Sequence, residues 1–356
     1  MQDRNQLFDF YKGIAIILVV AGHTLQYIIY PTNFDESLGF RLIYSFHMPL
    51  FVFISGMVSS LWIIEFDGLA DLKSNLLLSM RRLMKSAVRL MLPFISWTIF
   101  KYFYYSMEIG VINYVFLAFE KPDESLWFLP CIFMCILFWV FCQTLISLTF
   151  SVPSLRKALE QRVSKKSQQL ICQFILILLI WLSLKDHIHD QAGDLLKAFF
   201  IYFFLGVIAS HYPIPHLTRW KRIFPYAIFV ILGPLWYRNT INHLPASLYD
   251  SLGQAASKYY AIITALSGSL AVLDASKMLY KSNWLLINKM IEYCGKISLG
   301  IYAIHFYVLH IGIPVIAPLA ISVIASAIIL QIPILRTLLL GEPINSKQLG
   351  MVKGAK

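Results

Sequence analysis

Apolar runs of about 15 to 22 residues recur along the chain, separated by segments rich in charged and small polar residues. They predict membrane-spanning helices near 10–30, 43–64, 88–107, 126–149, 169–184, 195–210, 223–238, 255–274, 297–315 and 316–338. The expected fold is therefore all-α: a polytopic transmembrane helical bundle of about ten spans. The first run is expected to be a span rather than a cleavable leader. It continues unbroken to Tyr30, and the segment before it carries no net charge.

Composition agrees with the pattern. Hydrophobic residues make up 58% of the 356 positions and charged ones 14%, with a mean hydropathy of +0.67. A soluble domain of this length needs far more polar surface. One integral-membrane domain is expected over 1–342, followed by a short cytoplasmic tail over 343–356.

Charge sets the orientation. With both termini cytoplasmic and ten alternating spans, most of the 30 Lys and Arg residues fall on the inner side. They include Lys73, Arg81, Arg82, Lys85 and Arg89, then Arg156, Lys157, Arg162, Lys165 and Lys166. The net charge of +11 thus faces anionic lipid headgroups and calls for no nucleic-acid partner. Cys131, Cys135 and Cys142 share one span, Cys172 lies in the next, and Cys294 is on the inner side. None has the spacing of a zinc site, and no metal is expected.

The chemistry lies in ionisable residues inside the apolar runs. His23 sits within the first, where an ionisable group is costly and points to a function or to a bond with a neighbouring helix. Lys12 precedes it by eleven residues, on the same helical face and roughly 16 Å away along the axis. His47 lies about 6 Å below the outer end of the second span, and His305 about 13 Å into the ninth. Ser298, Tyr302 and His305 share a face by their i, i+4, i+7 spacing. Three histidines from three spans imply a polar cavity reached from outside. On the inner side Arg82, Lys85 and Arg89 form one stripe. Positive-inside anchoring accounts for such a stripe, but Arg89 is drawn into the membrane by the Leu-Met-Leu-Pro-Phe run after it, where its forked donors suit a phosphate.

These residues fall into blocks that resemble a known family. The stretch Phe8-Asp9-Phe10-Tyr11-Lys12 through Gly22-His23 is similar to the opening of the acyltransferase 3 family, a basic residue, ten positions, then histidine. Ser45-Phe-His-Met-Pro-Leu through Gly56 resembles the second-span motif, and Arg89 with Pro93 the third-span pair. Leu126-Trp127-Phe128-Leu129-Pro130 and Gly295-Lys-Ile-Ser-Leu-Gly-Ile-Tyr-Ala-Ile-His305 resemble two later motifs, all in order along the chain.

The resemblance implies an O-acyltransferase of the branch that acetylates bacterial surface polysaccharides, in the bacterial cytoplasmic membrane. An acyl group, acetyl above all, would pass from cytoplasmic acyl-CoA to a sugar hydroxyl of a polysaccharide or its lipid-linked precursor at the outer face. Acyl-CoA would be a substrate, with no permanently bound cofactor. His23 maps onto the family's essential histidine, and Lys12 onto a basic partner that in many members is arginine. On this reading Lys12, Arg82 and Arg89 hold acyl-CoA, and Arg41, His47 and Trp127 meet the carbohydrate acceptor. Asp9, Ser298, Tyr302 and His305 support them. His23 could act as a general base or carry the acyl group itself; the sequence leaves both routes open. A transporter or flippase for a polar or lipid-linked sugar is the alternative reading, though matched halves with interrupted helices are not evident.

Overall fold

The computed structural model describes residues 2–59, 72–121, 126–152, 154, 166–187, 191–211, 219–240, 243–282 and 284–342. Among these residues it is helical, without strands. The basic segment 156–165 and the expected tail 343–356 lie outside the described residues. Among the described residues six helices are long and apolar enough to cross a membrane: Gln6–Ile29, Leu38–Ser59, Lys73–Tyr104, Phe128–Thr149, Gly193–His211 and Tyr259–Tyr280. Shorter apolar helices at Leu170–Leu184, Arg222–Leu235, Ser298–Val308 and Ile316–Gln331 occupy the other expected positions. The chain is a multi-pass membrane protein.

It divides into two compact units, 1–58 with 202–329 and 59–201 with 330–356. The first begins with α1 (Gln2–Thr24), which runs on into a π-helical turn at Leu25–Ile29. Helices α2 (Leu38–Tyr44) and α3 (His47–Ser59) follow, separated by a tight turn at Ser45 and Phe46. Further along come the second half of α8 (Gln191–His211), then α9 (Arg219–Leu232) and α10 (Ala246–Tyr280). Helices α11 (Leu285–Lys296), α12 (Ser298–Val308) and α13 (Ile316–Gln331) complete the unit.

Lipid tails are as apolar as leucine, so helices in a bilayer associate through close packing and polar contacts. Two crossings in this unit achieve it with glycine. Where α1 meets α11, a Cβ on Gly13 would strike the Ile291 carbonyl, and one on Gly295 the Asp9 carbonyl. Where α3 meets α8, Gly56 and Gly206 lie against the carbonyls of Phe203 and Phe53. Backbone thus touches backbone at both crossings.

The second unit contains α4 (Leu72–Tyr104), α5 (Val111–Glu120), α6 (Phe128–Phe150), α7 (Lys166–Leu184), the first half of α8 and α14 (Pro333–Leu340). Asn75 donates to the Ser147 hydroxyl at 2.8 Å, joining α4 to α6. The Trp97 indole donates to the Leu339 carbonyl at 2.9 Å, joining α4 to α14.

The structure adds three features to the expected pattern. Helix α11 occupies what reads as a cytoplasmic loop. It turns Trp284, Leu285, Leu286 and Met290 outward and buries Asn288 and Gly295. Interleaved Asn288, Lys289 and Glu292 dilute its apolar residues below the level of a span. Helix α5 is apolar but only ten residues long, too short to cross. The last expected span, 316–338, is two helices: Ile332 is extended and Pro333 starts α14, because the residue before proline is pushed out of the helical region.

Candidate active site

The π-helical turn follows His23 directly. Thr24 donates its hydroxyl back to the Val20 carbonyl at 2.8 Å, a side-chain bond that competes with the backbone ladder and bends helices. The wider turn after it buries Gln26, which accepts a hydrogen bond from the Tyr44 hydroxyl of α2. One irregular turn of α1 is thereby tied to the α2–α3 junction, from which His47 projects.

Three histidines converge here. His23 Nδ1 lies 2.7 Å from His305 Nε2, and the two rings are nearly parallel, 5° between planes. His47 is 6.5 Å from His23 between ring centres, and Tyr44 fills the corner at 4.6 Å from His47 and 6.1 Å from His23. Phe306 packs 4.4 Å from both His23 and His305. His47 and His305 are buried, while His23 keeps partial exposure.

The contacts assign the ring hydrogens. His305 Nδ1 sits 3.0 Å from the Ile301 carbonyl, which can only accept, so Nδ1 carries the hydrogen. In the neutral ring His305 Nε2 is then a bare acceptor, and the hydrogen between the two histidines belongs to His23 Nδ1. His23 Nε2 is left with its lone pair free. His47 is set in the same sense, with Nδ1 donating to the Ile43 carbonyl at 3.0 Å. Two backbone carbonyls, one directly and one through His305, thus hold two imidazoles in the form a base or nucleophile needs.

Beyond the histidines the chain builds a polar rim. Arg41 donates to the Tyr237 hydroxyl at 2.6 Å and lies over that ring at 4.7 Å. The Arg238 guanidinium lies 5.5 Å from the centre of the Tyr44 ring. Asp35 accepts from the backbone amides of Arg238 and Asn239 at 2.8 and 3.1 Å, which anchors this loop to the first unit's N-terminal segment. Trp236 stacks on His243 at 4.6 Å, and His243 and Tyr237 exchange bonds through backbone and ring. Burial holds the His243 imidazole below its ordinary range, so it stays neutral.

The other residues expected at the site lie at several places in the fold. Lys12 sits one helical face along α1 from His23 and pairs with Asp9 at 2.6 Å, so its cation is already balanced. Ser298 opens α12, and Tyr302 is buried 6.0 Å from the His305 ring. Arg82, Arg89 and Trp127 belong to the second unit. The two arginines lie on α4, with Arg89 backbone against Gly341; Trp127 caps α6 and packs 5.4 Å from Phe199. Among the described residues no group of three His, Cys, Asp or Glu side chains is placed to hold a metal ion.

Arg238, Tyr237, Tyr44 and Gln26 were not legible as site residues. The only sequence signal was the run Trp236-Tyr237-Arg238 just after Gly233-Pro234 at a span end, which reads equally as an interfacial aromatic belt.

Comparison with known proteins decides the family. A family model described as an acyltransferase domain matches residues 5–340, nearly the whole chain. The chain belongs to the acyltransferase 3 family. Two nodulation proteins named NolL also share a segment with it. Over 60 residues the identity is 57% to the protein of Sinorhizobium fredii (strain NBRC 101917 / NGR234) and 55% to that of Mesorhizobium japonicum (strain LMG 29417 / CECT 9101 / MAFF 303099). That segment is 16% of this chain and 16% of each relative. No solved structure matches this acyltransferase-family chain.

Proposed function

We propose that this protein is an acyl-CoA-dependent O-acyltransferase of a bacterial cytoplasmic membrane, moving an acetyl group to a sugar hydroxyl of a surface polysaccharide or its lipid-linked precursor. One observation carries the chemistry: the His305–His23 pair leaves His23 Nε2 as a free lone pair in a partly exposed ring. A sugar hydroxyl is a poor nucleophile near neutral pH. A positioned imidazole takes its proton as the oxygen attacks the thioester carbonyl, and the CoA thiolate leaves and is protonated. The positive charge that grows on His23 is then shared through Nδ1 with His305 Nε2, much as a carboxylate steadies the histidine of a hydrolase triad.

Family membership supports the reaction class, and the positive-inside pattern supports acceptor access from the outer side. On the same pattern the donor approaches from the cytoplasmic side, where Arg82 and Arg89 would take the phosphates of acyl-CoA and Lys12, with Asp9, would sit below His23. His47 and Arg41 would face the acceptor, and Trp127 would offer an aromatic face to the sugar ring. The test is acetylation of the cell's surface glycan, measured by mass spectrometry, with wild-type protein and with His23→Ala at equal membrane levels. Loss of acetyl groups in the variant is expected; near-normal acetylation would overturn the reading and favour a transporter.

A further inference from the structure

The polar rim around the histidines is not electrically neutral. Arg41 and Arg238 both border it, and among the described residues neither makes an ion pair. Asp35, on the same loop contact, has one oxygen on each of two backbone amides. The Arg41 Nε is buried with no hydrogen-bond partner, although its Nη1 is satisfied by Tyr237. Arg238 is exposed, so a ligand can reach it, and only the Tyr44 ring separates its charge from His47 and His23. Arg41 is half-buried with one enclosed donor unmet, so a counter-charge that reaches both guanidiniums from the Arg238 side gains the pairing they lack.

A neutral sugar gives no reason for this arrangement. Hydroxyls are bound well by amides, carboxylates and aromatic faces, and a guanidinium one aromatic ring away from a base raises the cost of protonating it. An anion offsets that cost. It would pair with guanidinium forks in the geometry they favour and would restore the tolerance of His23 for the proton it takes up.

We infer that the acceptor carries an oxyanion, bound by Arg238 and Arg41 next to the hydroxyl that receives the acyl group. The inference rests on the acyl-transfer reading and narrows its substrate class. The shared chemistry is a carboxylate or phosphate within one sugar's reach of the reacting hydroxyl. Two sources supply it: a uronic acid in the glycan, or the diphosphate that links a sugar to a carrier lipid. Protons and charges balance without it, since His23 returns its proton to the departing thiolate. The anion acts on binding and on the protonated intermediate.

Binding, measured without any acyl donor, tests it. The purified full-length protein in detergent is titrated with two matched pairs of probes: glucuronate against glucose, and a glucosyl-diphosphoryl alkyl lipid against the alkyl glucoside of the same chain length. The charged member of at least one pair should bind about ten-fold or more tightly, and high salt should shrink the preference. Arg238→Gln should remove most of it while Arg238→Lys keeps a part; Arg41→Gln is the second variant, in case either change at 238 prevents folding. A preference confined to the lipid pair identifies the carrier phosphate, and one confined to the glucuronate pair an acidic sugar. Equal binding within both pairs, or a preference that survives both Arg238→Gln and Arg41→Gln, would overturn the inference. Failure of the underlying reading looks different: the anion preference persists, yet no acetyl group passes from acetyl-CoA to any probe.

Discussion

His305 Nε2 faces His23 Nδ1 at 2.7 Å, while the other nitrogen of His305 is held by the Ile301 carbonyl. The tautomer of His23 is therefore fixed by a backbone atom two links away. His305→Ala should lower the turnover rate by roughly 10² to 10⁴-fold, the range seen when an orienting partner or a base is lost. The acceptor KM should change little. His305→Gln, whose amide oxygen can still accept from His23, should retain more activity than the alanine variant. Steady-state kinetics on purified protein separates these outcomes; equal activity of His305→Ala and wild type would remove the relay.

His23→Ala should cut transfer by roughly 10² to 10⁴-fold yet leave the protein inserted and folded. One lost hydrogen bond costs only about 1 kcal/mol, whereas a lost general base costs roughly 10² to 10⁴ in rate. Detergent size-exclusion profiles of the variant should match wild type while acetyl transfer falls by that factor.

Donor binding should depend on the other unit. Arg89→Ala is expected to weaken acyl-CoA affinity about ten-fold, the loss of one charge-assisted contact of about 1.4 kcal/mol, with acceptor use less affected. Titration of the purified variant with acetyl-CoA checks it, and wild-type affinity would exclude Arg89 from the donor site.

The glycine crossing makes a stability prediction. Gly13→Val or Gly295→Val places a branched side chain where a carbonyl already sits, an overpacking that costs about 1 to 3 kcal/mol or more. Both variants should melt at lower temperature and accumulate poorly, whereas Gly110→Ala, whose Cβ would meet only the Asn113 amide at 4.0 Å, should stay close to wild type. A thermal melt in detergent distinguishes them.

Orientation is checked by reporter fusions. One inserted within 156–166 should report the cytoplasm and one within 185–194 the opposite side, because the intervening Leu170–Leu184 helix is expected to cross. Two fusions reporting the same side would reverse that part of the topology.

Much of the fold could be read from apolar runs alone, since a bilayer allows little besides helices and the run lengths are set by its thickness. The three histidines were visible for the same reason: each interrupts an apolar run. Their depths also implied a shared polar cavity, but not that His23 and His305 stand ring to ring within hydrogen-bond distance, because nothing local sets how α1 and α12 cross. The rim was hidden more deeply. Arg238 stands at a span end, where a lone arginine is ordinary, and becomes informative only once Asp35 is seen to be occupied by main-chain amides. Helix α11 escaped notice because its charged residues cancel its apolar ones in any averaged window. The π-helical turn has no sequence mark beyond Thr24, a residue whose back-bonding is common.

Gly13 and Gly295 bring two main chains into direct contact, and that has a mechanical consequence. No side chain lies between the backbones there, so the height of His23 relative to α11 is set by main chain resting on main chain. A piston movement of α1 would have to break that contact first. Under the proposed function, donor and acceptor would then come to the imidazole, each from its own side, rather than the imidazole to them.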